Sequence, residues 1–401
     1  MTVNSCFTPD FSTLDTDVQI LKSVNDIDPY LWNEVLKVSN VYLSIPYLRA
    51  IEDSLPYFEF RYIIFQDNNE VPIGVAYTQI IKITNKEINA EALNKKMGGM
   101  LPKNLINSLD IRVLICGNAF ASGENGFKFL DDLPDTLQFD LVAAAIDEIN
   151  LSEKKDHKKI AISIIKEFWP ESFSKTAQFK EAGCSEVNID VNMVLKLDPS
   201  WNSFEDYLQA MNSKFRTKAK HVQKQSEPLH IIDFSVDEIE RRIDEINELY
   251  NSLVDKAKFS FGRLNATTLL NIRKVFGDNL IFKGYYLDNK LIGFSTATCF
   301  DDVVDGNYIG LDYDYNRDYA VYQRMLYDFI KEAFDRNATE IRIGRTAEEI
   351  KSGVGAEPIE MKFYAKHRNK VTNAILRPFV QNLKPSEFNL RKPFKKEYYN
   401  T

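Results

Sequence analysis

Reactive sulfur, imidazole and long apolar runs are what this chain of 401 residues has least of. Its four cysteines, Cys6, Cys116, Cys184 and Cys299, never fall at metal-ligand spacing, and no histidine cluster accompanies them. That argues against a disulfide framework or a zinc centre and reads as reduced structural thiols; no metal is expected. No run of apolar residues is long enough to span a bilayer. The start, Met1-Thr2-Val3-Asn4-Ser5-Cys6, lacks the basic flank and apolar core of a secretory signal, so the expected location is the cytoplasm. Positive charge is also in deficit, with 50 Lys and Arg against 58 Asp and Glu, a net charge of -8. This argues against a protein that coats nucleic acid over its whole surface, and leaves room for a local basic groove. Glycine is too sparse for a phosphate fingerprint. The stretch Gly117-Asn118-Ala119-Phe120-Ala121-Ser122-Gly123-Glu124-Asn125-Gly126 matches neither a P-loop nor a dinucleotide motif. It could offer amides to an anion, with Asn118 as a candidate, but reads more simply as a surface loop.

What is present is one theme, twice. Val71-Pro72-Ile73-Gly74-Val75-Ala76-Tyr77-Thr78 and Lys290-Leu291-Ile292-Gly293-Phe294-Ser295-Thr296-Ala297 both read as apolar strands entered through a turn. Each carries Ile-Gly in the same place. After the first come a strand at Ile111–Ile115, a helix around Phe139–Ile149 and a strand at Lys159–Ile164. After the second come a strand at Gly306–Leu311, a helix at Tyr319–Phe334 and a strand at Glu340–Ile343. Repetition at this period predicts two similar lobes, although strand–helix–strand order is common in any α/β protein. The length also suits two domains.

Asp198-Pro199-Ser200 breaks the chain, so the first lobe is expected over 1–198 and the second over 199–375. Residues 376–401 would be a basic tail. A helix capped by Ser203 should carry Phe204, Tyr207, Leu208, Met211 and Phe215 inward. It continues into a basic stretch with Lys214, Arg216, Lys218, Lys220 and Lys224, part of which is a solvated face. Asp312, Tyr313, Asp314 and Tyr315 follow the strand that ends at Leu311. Strand alternation would place the two carboxylates on one face and the two phenols on the other. Each of these residues taken singly also reads as a solvated strand end. Gly344–Ala356 reads as a charged loop, with Arg345 at a strand's carboxyl end, where open α/β sheets hold ligands. Arg345 and Lys351 would bind an anion, or Arg345 would pair with Glu348 or Glu349. The tail mixes Lys362, Lys366, Arg368, Lys370, Arg377, Arg391, Lys392, Lys395 and Lys396 with Phe379, Phe388 and Phe394. Loose packing is expected there, with peripheral contact to an anionic membrane or to RNA as the alternative.

Three segments carry a family resemblance. They are Trp201–Leu208 with Ser213–Lys218, then Gly310–Asn316 running into Tyr322-Gln323-Arg324-Met325-Leu326, then Gly344–Glu348 with Lys351 and Gly355-Ala356. The chain resembles the GNAT superfamily and, more narrowly, the FemAB-like two-lobe transferases, including peptidoglycan biosynthesis/recognition-type proteins. The resemblance implies an α/β (α+β) fold of tandem GNAT-like lobes, each a mixed, mostly antiparallel sheet flanked by helices. It implies an N-acyltransferase moving an acyl group from an activated donor, acyl-CoA first, to an amine or peptide acceptor. Alternatives are a FemABX-type aminoacyltransferase using charged tRNA on a cell-wall precursor, and a non-catalytic ligand-binding protein. In this reading Asp312 is the base and Tyr313 the acid. Arg345, Lys351, Tyr308, Tyr322, Lys214, Arg216 and Asn118 bind substrate or donor. The chain departs from acetyl-CoA-binding members at Asn316-Arg317-Asp318-Tyr319-Ala320-Val321, where their pyrophosphate turn has glycines and this chain has none.

Overall fold

The computed structural model describes residues 16–37, 40–84, 110–187, 191–255, 263–367 and 388–399. The tail residues Arg368, Lys370, Arg377 and Phe379 lie outside these, as does Cys6. Among these residues, fifteen strands follow in chain order. They are β1 (Thr16–Leu21), β2 (Glu59–Asp67), β3 (Pro72–Thr84), β4 (Asp110–Cys116), β5 (Phe127–Phe129), β6 (Ile160–Phe168) and β7 (Ser185–Val187). Then come β8 (Val191–Lys196), β9 (Leu229–Asp233), β10 (Leu280–Leu287), β11 (Lys290–Phe300), β12 (Val303–Leu311), β13 (Glu340–Arg342), β14 (Glu357–Glu360) and β15 (Lys362–His367).

They form two mixed sheets. The first has the order β1-β2-β3-β4-β6-β15-β7, with β5 paired to β3; the second, read from its other end, is β9-β10-β11-β12-β13-β8-β14. Position by position the pairings agree. In each sheet one pair is parallel, β4 with β6 and β12 with β13, and its neighbours are antiparallel. The duplicated theme is therefore a duplicated topology. A helix crosses over between the parallel strands of each sheet, Asp135–Lys155 in the first and Val321–Asp335 in the second. The first buries Phe139, Val142, Ile146 and Ile149; the second buries Met325, Leu326, Phe329 and Ile330. The Ile-Gly pairs also correspond. A Cβ on Gly74 would meet the Phe129 ring, and one on Gly293 the Met325 methyl, so both glycines let a side chain cross the strand closely.

The sixth position of each sheet breaks the simple order. β8 follows β7 in the chain but pairs with β13 and β14, while β15 follows β14 but pairs with β6 and β7. The compact units divide accordingly. One contains Met1–Ile189, Lys258–Leu264 and Met361–Pro385; the other contains Asp190–Ala257, Asn265–Glu360 and Ser386–Thr401. The lobe limits expected at 198 and 375 thus shift, because β8 and β15 each belong with the other half's sheet. A turn such as Asp198-Pro199-Ser200 marks where a strand ends, not which sheet it joined.

Other expectations also change. Ser203 does cap its helix, its hydroxyl accepting from the Asp206 N–H at 3.2 Å. That helix stops at Ala210, because Met211 makes a β-bridge to Phe394, and a second helix spans Ser213–Gln225. The tail segment 388–399 is packed, not loose. Phe394 is buried against Trp201 and Tyr207, and its ring fills the place where Gly355 would carry a Cβ. Lys362 and Lys366 belong to β15 and pair with Glu186 at 3.2 Å and Asp147 at 2.9 Å.

β15 is anchored by Tyr364, which is fully buried, packs on Phe168 and Phe179, and hydrogen-bonds Thr176 at 2.9 Å. Tyr364→Ala should cost about 3–5 kcal/mol of stability in denaturant unfolding, the usual range for truncating a buried aromatic. A change below about 1 kcal/mol would show that β15 does not hold the first sheet together.

Candidate active site

The two parallel pairs differ, and the difference locates the site. In the first unit β4 stays zipped to β6 as far as Cys116↔Ile165, the last residue of β4, and Val113–Cys116 are all buried. In the second unit the ladder holds only for Val303↔Glu340, Val304↔Ile341 and Asp305↔Arg342. Beyond that rung β12 runs on with β11 to Leu311. The other wall leaves with β8: Met193 accepts from the Ile343 N–H and donates to the Gly344 C=O. The strands therefore part into a wedge.

A bulge accounts for the parting. Ala297 pairs Gly306 and Ser295 pairs Ile309, so Thr296 faces two residues of β12. Its hydroxyl accepts from the Tyr308 N–H at 2.9 Å and donates to the Tyr308 C=O at 3.0 Å, which satisfies the bulged residue. Bulges bend a strand and end pairing on its other side. Residues 305–309 keep partial exposure although β12 is central in its sheet. On the far wall, Gly344 has a φ of +67° and no atom within 4 Å of where a Cβ would stand. Glycine at this position therefore leaves the wedge open.

Asp305 lies on the last rung before the opening. Desolvation by the surrounding protein pushes its carboxyl up to about 7; Arg342 opposes that push and Glu340 adds to it. Arg342 is itself engaged with Glu340, Nε to Oε1 at 2.6 Å. A carboxyl with this pKa is poised to take a proton near neutral pH. The sequence reading missed Asp305 because Asp301-Asp302-Val303-Val304-Asp305 resembles a polar hairpin end. Only the register against Arg342 sets this carboxylate apart.

A second cluster forms around the start of the helix Val321–Asp335. Tyr322 is pushed well above the ordinary phenol range by burial, with Tyr313 and Glu348 adding to the shift. Lys351 lies in the short helix Glu348–Ser352, within the stretch expected to be loop. It is 4% exposed, and its ammonium donates to the Arg345 C=O at 2.5 Å. Burial pulls Lys351 down to about 7, against the opposing pull of Glu348. Burial likewise lowers Arg345, to about 10. Glu349 is taken by Arg391 at 2.5 Å, and Lys218, whose pKa is lowered by burial, feels Arg391, Glu349 and Lys214. The structure thus brings together Tyr313, Tyr322, Arg345 and Lys351, with Lys214 beside the neighbouring charges.

The remaining candidates lie elsewhere. Asp312 to Tyr315 do not continue the strand: Tyr313–Tyr319 is a helix, and Asp312 is its N-cap, accepting from the Asp314 N–H at 3.1 Å. Asp312 also pairs with Lys290 at 2.9 Å, which engages the carboxylate expected to act as base. A capping aspartate and helical spacing replace the strand alternation. The glycine-free turn lies in the same segment. Asn316 Oδ1 accepts from the Tyr322 N–H at 2.9 Å, so a side chain holds one of the amides that a phosphate would need. Tyr308 edges the wedge with its ring among the Phe294 and Leu249 cluster. Arg216 reaches the Gln209 and Met211 carbonyls. Asn118 is fully buried in the first unit, its Nδ2 donating to the Tyr47 hydroxyl at 2.7 Å. Its loop amides are taken by Asn125, Gln79 and Glu167, which corrects the surface-loop and anion readings alike. No cluster of metal ligands occurs among the described residues, and no helix among them is long and apolar enough to cross a membrane.

No family model and no curated sequence matches the chain. Solved structures do. The duplicated mixed sheet matches the tandem GNAT fold. A tandem GNAT protein from the clavulanic acid biosynthesis pathway superposes with a TM-score of 0.51 at 9% identity, covering 88% of this chain and 99% of that one. FemX superposes with a TM-score of 0.52 at 10% identity, covering 90% of this chain and 100% of that one. The chain therefore carries the two-lobe GNAT, FemAB-like fold.

The Lys351 geometry has a measurable consequence for stability. Its folded pKa of about 7 lies below the value of ~10.4 that a lysine has in an unfolded chain. Between these values the unfolded state binds the extra proton, so this group makes stability rise with pH across that window. Lys351→Met should remove the rise. Its free energy of unfolding should fall relative to that of wild type from pH 7 to pH 10, by up to about 1.4 kcal/mol per unit. Parallel pH profiles would show instead that Lys351 is solvated.

Proposed function

We propose that the second unit is an N-acyltransferase in which an amine, seated in the wedge between β12 and the Ile343–Gly344 wall, attacks an activated acyl group. The observation that carries this reading is Asp305 on the last paired rung, with a carboxyl raised to about 7 at the mouth of an opened parallel pair. In this mechanism the Asp305 carboxylate accepts the proton that the amine loses as its C–N bond forms. The Tyr322 phenol, held protonated by burial, donates to the leaving thiolate or hydroxyl as the bond from the acyl carbon to the leaving group breaks. The β12 edge beyond Asp305 supplies backbone N–H groups to the carbonyl oxygen. Arg345 and Lys351 hold an anionic part of donor or acceptor, and Lys214 and Lys218 extend that charge. Tyr313 serves beside Tyr322, and Asp312 does not act as base.

Acyl-CoA is the first donor for this reaction, and an amine or peptide the acceptor. A specific observation favours a second donor. The Tyr322 amide is already taken by Asn316, and the preceding segment is a helix, so the usual place for a pyrophosphate is filled. An aminoacyl ester of tRNA needs no such turn, and FemX offers the structural parallel. Its phosphates would lie on the Lys214–Lys218–Arg391 surface.

The test is turnover of purified protein with acyl-CoA or aminoacyl-tRNA over a panel of amines and peptides. Asp305→Asn should lower kcat about 10²–10⁴-fold and abolish the rise of rate through pH 7, while melting no earlier than wild type. An unchanged pH profile in this variant would remove Asp305 from the reaction. Binding of ligand without turnover of any donor would leave a ligand-binding protein in place of an enzyme.

A further inference from the structure

Positive charge is in deficit over the whole chain, yet one surface of the second unit carries it almost without relief. The helix Ser213–Gln225 bears Lys214, Arg216, Lys218, Lys220 and Lys224 and has no carboxylate. The segment 389–396 bears Arg391, Lys392, Lys395 and Lys396 and has none either. Hydrogen bonds lock the two together. The Asn212 N–H donates to the Pro393 C=O at 2.8 Å and its Nδ2 to the Phe394 C=O at 2.7 Å, while the Lys395 N–H donates to the Ala210 C=O at 3.0 Å. The segment therefore crosses the start of the helix. Arg391 lies on the flank of Lys214 and Lys218. Lys395 lies toward Arg216, whose guanidinium reaches the Gln209 and Met211 carbonyls on either side of Ala210.

Three features set this surface apart from an ordinary solvated face. Its cations are fixed relative to one another, because Phe394, between Lys392 and Lys395, is buried against Trp201 and Tyr207. Their charge stands unneutralised: Glu349 engages Arg391, whereas Lys220, Lys224, Lys392, Lys395 and Lys396 are exposed and join no ion pair among the described residues. Beside Arg391 and Lys392, Leu390 is 43% exposed, a large apolar side chain outside the core. Long cationic side chains around an exposed leucine match the headgroup layer of an anionic bilayer, with the leucine entering the acyl boundary. Bound RNA would use the cations but not the leucine, and single strands stack on exposed rings. Here the rings of Trp201, Tyr207 and Phe394 are buried.

We infer that this face of the second unit rests on an anionic lipid surface, with Lys392, Lys395 and Lys396 at the phosphates and Leu390 in the acyl boundary. The inference is independent of acyl transfer, and its test leaves Lys214, Lys218 and Arg391 unchanged.

The test is co-sedimentation of the full chain with vesicles of phosphatidylcholine alone and of phosphatidylcholine mixed equally with phosphatidylglycerol. Wild type should sediment with the mixed vesicles only, and added salt should release it. The variant K392Q/K395Q/K396Q should bind the mixed vesicles on the order of a hundredfold more weakly, since each cation near such a surface is worth about fivefold. Leu390→Ser should bind severalfold more weakly at unchanged charge. Both should melt with wild type, because the four side chains are exposed. K154Q/K155Q/K159Q, which removes exposed lysines from the first unit, should bind as wild type does. Absence of wild-type binding to the mixed vesicles, an equal loss in the first-unit variant, or full binding by Leu390→Ser overturns the inference. Retention of oligouridylate that is lost in K392Q/K395Q/K396Q, with the vesicles left unbound, also overturns it and assigns the surface to RNA.

Discussion

Each sheet of this protein is completed by a strand from the other half of the sequence, and the rest of the structure depends on that exchange. β15 sits between β6 and β7, and β8 between β13 and β14. Without β15, the strand edges of β6 and β7 would expose unpaired N–H and C=O groups beside a core that includes Phe168 and Phe179. Without β8, the wall made by Ile343 and Gly344 would lose the backbone bonds to Met193 that pull it away from β12. The exchange therefore does more than complete two cores. It also ties the Ile343–Gly344 wall to β8.

The two lobes share a topology but differ where chemistry is possible. β4 and β6 remain paired to the end of β4, and the loop that follows spends its amides on Asn125, Gln79 and Glu167. β12 and β13 separate after three rungs. A single bulge, satisfied by the Thr296 hydroxyl, is enough to produce the difference. The difference shows as buried residues along the end of β4 against partly exposed ones along β12.

Charge in the second unit is arranged at a cost. Asp305, Lys351 and Arg345 are all shifted mainly by desolvation, toward the neutral form. Such groups oppose folding wherever they remain charged. The Arg391–Glu349 pair and the Lys290–Asp312 pair, by contrast, are partly exposed ion pairs of modest worth.

Local pattern was readable from the chain. The Ser203 cap and the duplicated Ile-Gly strands rest on residues close together in sequence, because propensity, capping and alternation act over a few residues. The partner of each strand did not follow. β8 and β15 are apolar strands bounded by ordinary breaks, and nothing in their own residues says which sheet they complete. Asp312 looked like the base because an acid after a strand reads the same whether it caps a helix or faces a ligand. Asp305 became distinct only through its rung with Arg342. Sequence alone determined the elements and the twofold plan, since these depend on neighbours along the chain. Tertiary structure alone decided the exchanged strands, the opened pair and the desolvated groups, since pairing energy and dielectric surroundings are set by residues far away in sequence.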